Sequence, residues 1–184
     1  MRQTMSIERL TEIIKEKSFR TGEFTLASGL KSNHYVDGKH TTLDPEGSAL
    51  LAEAILEIVA DDNADAIGGL TLGADPMVGS ATAISHTKGT PLKGIIVRKE
   101  AKDHGTGNKI EGTLNEGDRV VVVEDVTTTG ASAWKAVESI RASGGEVVRI
   151  VTMVDRLQGA GELFADKGVP FSSVITVREL GVDV

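Results

Sequence analysis

Four consecutive valines, Val120, Val121, Val122 and Val123, limit what this chain can fold into more than any other feature. A β-branched run without polar alternation is a weak helix former and reads as a strand buried on both faces. Burial on both faces calls for a parallel sheet, because the crossovers between parallel strands place helices over each side. The remaining chain agrees. Short apolar runs at 66–70, 94–97, 147–154 and 173–177 predict further strands, and residues 76–86, 132–142 and 161–167 carry helical apolar spacing. Nearer the start, Ile7, Leu10, Ile13 and Ile14 predict a helix over 6–17 with Ser6 as its N-cap. Asp44-Pro45 opens a second, with Leu50, Leu51, Ala54, Ile55 and Ile58 on its apolar stripe. Residues 19–43, rich in Gly, Ser, Thr and Asn, read as loop and short strands. The expectation is an α/β fold, a single domain over 1–184 with a mostly parallel central sheet and flanking helices. A small N-terminal addition, about residues 1–42, precedes the core.

The strand does not end quietly. It runs VVVVEDVTTTGAS, so that Glu124 and Asp125 follow the valines and Val126, Thr127, Thr128, Thr129, Gly130, Ala131 and Ser132 lead into a helix. In open α/β sheets the ligand crevice lies beyond the carboxyl ends of the strands. Threonine hydroxyls and free backbone N–H groups at a helix start favour an anion. Paired carboxylates repel a phosphate but accept from sugar hydroxyls or share a magnesium ion with it. Together these point to a ribose phosphate. A capped strand-to-helix turn is the bland alternative. Rival motifs are missing: there is no Walker P-loop, no H-E-x-x-H and no G-x-S-x-G, and Gly105 and Gly107 begin a G-x-G that no strand leads into.

Positive charge concentrates in one other place, RKEAKDHGTGNKIEG at 98–112. The chain has a formal net charge of -7, so this cluster works against the overall field. Its glycines predict a mobile catalytic loop over about 99–112, able to close on a polyphosphate and stabilise a leaving group. A solvated surface loop is the plain alternative. Asp155-Arg156 ends the strand at 147–154; a guanidinium there suits a planar carboxylate, although on these residues alone a strand-end salt bridge of Asp155 with Arg156 or a neighbour is the stronger explanation. His34, His40 and His86 lack ligand spacing and read as surface or N-terminal polarity, and Trp134 as core. Aromatic residues make up 3%, which with the acidic balance speaks against nucleic acid. The absence of cysteine removes disulfides and thiolate chemistry. Charges throughout residues 1–17 and no long apolar run predict neither signal peptide nor membrane span, hence a cytoplasmic protein without membrane or nucleic-acid partners.

These motifs resemble a known family. VVVVEDVTTTGAS resembles the phosphoribosyl pyrophosphate (PRPP) motif of type I phosphoribosyltransferases, and RKEAKDHG is similar to the catalytic loop of the orotate phosphoribosyltransferase family. The resemblance implies the type I phosphoribosyltransferase fold, with the N-terminal part as a hood over the base. It implies an enzyme, a pentosyltransferase of pyrimidine (UMP) biosynthesis. Its substrates would be orotate and PRPP, its cofactor Mg²⁺ held mainly through PRPP, and its assembly a homodimer sharing the loop. Carried over by position, Arg98, Lys99, Lys102, His104 and Asp125 would serve catalysis. Arg98, Lys99, Lys102, His104, Glu124, Asp125 and residues Val126 to Ser132 would bind PRPP. Thr128, Arg156 and Lys31 would bind orotate. FTLASGLKSNHYVD at 24–37 resembles the hood segment, with Ser28 and Gly29 offering backbone N–H groups; Ala27 stands where some members have lysine. TLGAD at 71–75 fits the pyrophosphate loop, without the lysine some members carry. A purine base, or a ligand-sensing transcription regulator on the same fold, are the alternatives.

Overall fold

The computed structural model describes residues 2–25, 31–100 and 109–184. Helix α1 (Arg2–Ile13) ends in a π-helical turn at Ile14–Ser18 and leads to strands β1 (Phe19–Thr25) and β2 (Lys31–Val36). These two pair antiparallel as a sheet of their own, outside the core. The short α2 (Lys39–Thr42) and the long α3 (Pro45–Ile58) follow. The core then alternates β3 (Ala66–Leu70), α4 (Asp75–Thr87), β4 (Lys93–Val97), β5 (Ile110–Gly112), β6 (Arg119–Thr127), α5 (Ala131–Ala142), β7 (Glu146–Asp155), α6 (Ala160–Asp166) and β8 (Phe171–Thr176).

The six-stranded sheet has the order β5-β4-β3-β6-β7-β8 and is parallel except for the edge strand β5. The valine run explains how it is covered. Val121 and Val123 face Leu10, Leu51, Ile55 and Met77 of α1, α3 and α4. Val120 and Val122 face Ala136, Val137, Ile140 and Phe164 of α5 and α6. All four valines are fully buried, each worth about 1.5–3 kcal/mol against exposure. Successive side chains alternate faces, so one unbroken apolar run serves both layers.

Three local expectations change. Ser6 is no cap, since α1 already begins at Arg2. The end of the stretch expected as loop, about 99–112, is strand: Ile110 is buried and pairs with Val97, making β5 the second arm of a hairpin. Strand β6 also continues past the valines, through both acids to Thr127, because β7 beside it supplies pairing partners as far as Asp155. The start of α3 is as expected. Pro45 occupies its first turn, and the Asp44 carboxylate accepts from the N–H groups of Glu46 at 3.1 Å and Gly47 at 2.9 Å.

Candidate active site

Strand order reverses between β3 and β6: the chain moves outward from β3 to β4, then returns to β6 and proceeds to β7 and β8. Their pairing runs only from Ala66 with Val120 to Gly68 with Val122. Past that point no pairing joins them, and the carboxyl ends of the two strands flank a cleft at the topological switch.

On one side of the cleft lies Asp125. Its Oδ1 accepts from the Val126 N–H at 2.9 Å. Two backbone segments press on it. A Cβ built on Gly73 would lie 2.6 Å from Oδ1, and one built on Gly38 would lie 2.7 Å from Oδ2. Burial pushes the Asp125 carboxyl up, while the Val126 N–H and Lys39 oppose the rise. Glu124 is pushed up to about 8, first by burial and then by Asp125, with Lys99 opposing. Among the described residues its Oε2 is buried without a partner. A carboxyl group in this state accepts from, or donates to, a hydroxyl.

The loop after β6 surrounds a small cavity of about 80 Å³, walled by Glu124 and residues 126–133. Gly130 caps α5 in the left-handed region at φ 82, and among the described residues no side chain caps this helix. Its first-turn N–H groups are therefore left for water or an anion. The Thr127 hydroxyl is buried and, among the described residues, has no partner. Next to this lies a cavity of about 720 Å³ whose lining includes Arg98, Lys99, Lys109, Ser132 and Lys135. At the end of β3, the Thr71 hydroxyl donates to Asp75 Oδ2 at 2.7 Å, and among the described residues Asp75 Oδ1 is buried without a partner.

The comparisons agree with this layout. Residues 41–178 match the family model described as a phosphoribosyl transferase domain. A relative from Bradyrhizobium diazoefficiens named orotate phosphoribosyltransferase is 52% identical, over 97% of this chain and 98% of its own. The chain belongs to the orotate phosphoribosyltransferase family. A crystal structure of the Mycobacterium tuberculosis orotate phosphoribosyltransferase in complex with Fe(III) dicitrate superposes with a TM-score of 0.85 at 43% identity, covering 96% of this chain and 99% of that one. The same protein in complex with 5-phospho-alpha-D-ribosyl 1-diphosphate superposes at 0.81 with 40% identity, covering 96% and 99%.

Within this member of the family, the residues expected at the site are distributed as follows. Glu124, Asp125, Val126, Thr127, Thr128, Thr129, Gly130, Ala131 and Ser132 are contiguous around the β6 end. Arg98 and Lys99 begin the loop at the end of β4. The Arg98 N–H donates to the Lys109 carbonyl at 2.8 Å and its guanidinium pairs with Glu111 at 3.2 Å. Lys102 and His104 lie outside the described residues, as do Ala27, Ser28 and Gly29. Lys31 is exposed at the start of β2.

Arg156 departs from the bland expectation. Among the described residues it pairs with no carboxylate. Asp155 instead accepts from the Leu157 N–H at 2.9 Å, beside a Leu157 backbone held at φ 55. Arg156 is 3% exposed, its N–H donates to the Thr127 carbonyl at 2.9 Å, and its Nη2 reaches Ser32 Oγ and His34 Nε2, both at 3.1 Å. Among the described residues its Nε is buried without a partner. His34, expected as surface or N-terminal polarity, lies in the N-terminal part but is only 6% exposed and packs against the Phe19 ring. The alternation of β2 puts its side chain on the buried face with Val36, a signal present in the sequence as His34-Tyr35-Val36 but not decisive there. Trp134 is half-buried rather than core. Its indole N–H donates to Glu138 at 3.0 Å, and Arg141 and Lys167 lie 5.5 and 5.4 Å from its ring.

Proposed function

We propose that this chain joins orotate to the ribose of PRPP, giving orotidine 5′-monophosphate and pyrophosphate in pyrimidine synthesis. The observation that carries this reading is the grouping of unsatisfied buried polar atoms. Glu124 Oε2 and Thr127 Oγ1 lie at the end of β6, and Arg156 Nε lies just past the neighbouring end of β7. Buried polar groups without partners are rare, and several at one strand end fit a polar ligand. Glu124 and Asp125 suit the ribose hydroxyls, the Thr127 to Ser132 segment the 5-phosphate, and the uncompensated Arg156 the orotate carboxylate. Thr128 and Lys31 stand as further orotate contacts.

In the reaction, a bond forms between the orotate ring nitrogen and the anomeric carbon as the bond to pyrophosphate breaks. Holding both reactants in line replaces a bimolecular encounter with an oriented one. Arg98, Lys99, Lys102 and His104 are read as cations for the departing pyrophosphate, on a loop of about 99–112 that excludes water when closed. Mg²⁺ fits the site as a hard ion taking oxygen ligands, carried mainly by PRPP, and the partnerless Glu124 oxygen supports such a charge nearby. When bound, it would neutralise the diphosphate. The hood of about residues 1–42, a homodimer sharing the loop, and a cytoplasmic location complete the reading. Among the described residues no helix is long and apolar enough to cross a membrane.

The test is direct. Mixing the protein with orotate, PRPP and Mg²⁺ should yield orotidine 5′-monophosphate, and competition among orotate, uracil, hypoxanthine and adenine should favour orotate. Turnover with a purine alone, or salt-dependent DNA binding without turnover, would overturn it.

A further inference from the structure

Among the described residues the Arg156 guanidinium has no counter-ion and is held by neutral groups, both of which lie on β2, more than a hundred residues away in sequence. A guanidinium can only donate. The ring nitrogen 3.1 Å from it must therefore offer its lone pair, which makes His34 a neutral imidazole whose proton sits on Nδ1. Asn33 Oδ1 stands 2.8 Å from Nδ1 and accepts that proton. Ser32 completes the clamp: its hydroxyl donates to the His34 carbonyl at 2.7 Å, leaving its oxygen to accept from Arg156. The Phe19 ring lies beside the imidazole, centroids 6.1 Å apart, and among the described residues Arg156 is the only charged group acting on it.

Arg156 Nη2 is thus occupied by β2, and among the described residues the buried Nε has no partner, so it is a donor free to meet a carboxylate. We propose that His34, as its Nδ1–H tautomer, is a positioning residue that holds Arg156 for the carboxylate of the base substrate, and that protonating it releases this grip. This rests on the orotate reading. Protonation would set an imidazolium against a guanidinium with no lone pair between them, so affinity for the anionic base should fail in acid while PRPP binding persists. Burial and Arg156 both hold the His34 pKa below the ordinary histidine value, which puts the change on the acid side of neutrality.

The experiment measures KM for orotate and for PRPP across mildly acid to neutral pH in wild type, His34→Gln and His34→Phe. The Gln carbonyl can stand where Nε2 is but does not titrate; Phe keeps the ring and removes the acceptor. In wild type, KM for orotate should rise by about tenfold per pH unit below the titration while KM for PRPP stays flat. His34→Gln should keep a near-normal KM for orotate and lose the acid rise. His34→Phe should raise it about tenfold at every pH with kcat little changed. An acid rise that persists in His34→Gln, or equal effects on both KM values, overturns the proposal. Nitrogen-15 NMR of the imidazole gives a readout independent of turnover, and a proton on Nε2 at neutral pH would also overturn it. Absence of orotate turnover at any pH, with the Nδ1–H tautomer intact, would instead sink the orotate reading.

Discussion

The Gly73 backbone lies so close to Asp125 that a Cβ built there would stand 2.6 Å from the carboxylate oxygen Oδ1. Gly73 has no left-handed backbone angle, so its value is space alone. Real Cβ atoms do not approach an oxygen this closely, and either the carboxylate or the loop after β3 must shift. Gly73→Ala should therefore lower kcat/KM for PRPP by about tenfold or more, equivalent to about 1.4 kcal/mol, while the far-ultraviolet spectrum stays unchanged. Steady-state kinetics with PRPP varied checks this. Unchanged kinetics would mean that the Asp125 position is not important to the site.

Glu124 links the site to pH. The folded protein holds its carboxyl proton up to about 8, against an ordinary value of 4.5, mainly through burial. Where only the folded state keeps the proton, folding is favoured by it, so stability from this group falls as pH climbs from about 4.5 to about 8. Glu124→Gln is neutral throughout. Its melting temperature should match wild type near pH 4.5 and exceed it increasingly toward pH 8, by an amount on the order of a few kcal/mol in stability. A difference that stays constant across this range would show that the side chain is not buried as the structure has it.

Gly130 combines a left-handed backbone with a contact to Phe164, whose Cζ would be 2.6 Å from an added Cβ. Gly130→Ala should cost about 2–4 kcal/mol, from backbone strain plus overpacking against a fully buried ring. Gly161→Ala, an open position on the neighbouring α6, is the control and should be neutral or slightly stabilising. Thermal melts of the two variants side by side decide the point.

Lys102 falls in sequence between Arg98 and Lys109, whose backbones hydrogen-bond at 2.8 Å, and it belongs to the proposed catalytic loop. If the loop cations stabilise the departing pyrophosphate, Lys102→Ala should lower kcat by roughly a hundredfold to a thousandfold and leave the melting temperature unchanged. Near-normal turnover would remove the loop from the mechanism.

Local chemistry made much of this protein legible in its sequence. The valine run demanded a sheet covered on both faces. The strand Ala66–Leu70 and the Asp44-Pro45 helix start could be read directly, because strand propensity, apolar period and capping are decided within a few residues. The phosphate loop was legible for the same reason, since a Thr/Gly turn before a helix is contiguous. Tertiary structure decided what depends on distant partners. Ile110 becomes a strand because Val97 is beside it, and β6 carries its acids as strand residues because β7 pairs that far. Arg156 loses its expected salt bridge and gains Ser32 and His34, which the fold brings to it from another sheet. No pattern in a linear sequence encodes such a meeting, because burial and pairing are set by which surfaces dock, and docking is a property of the whole chain.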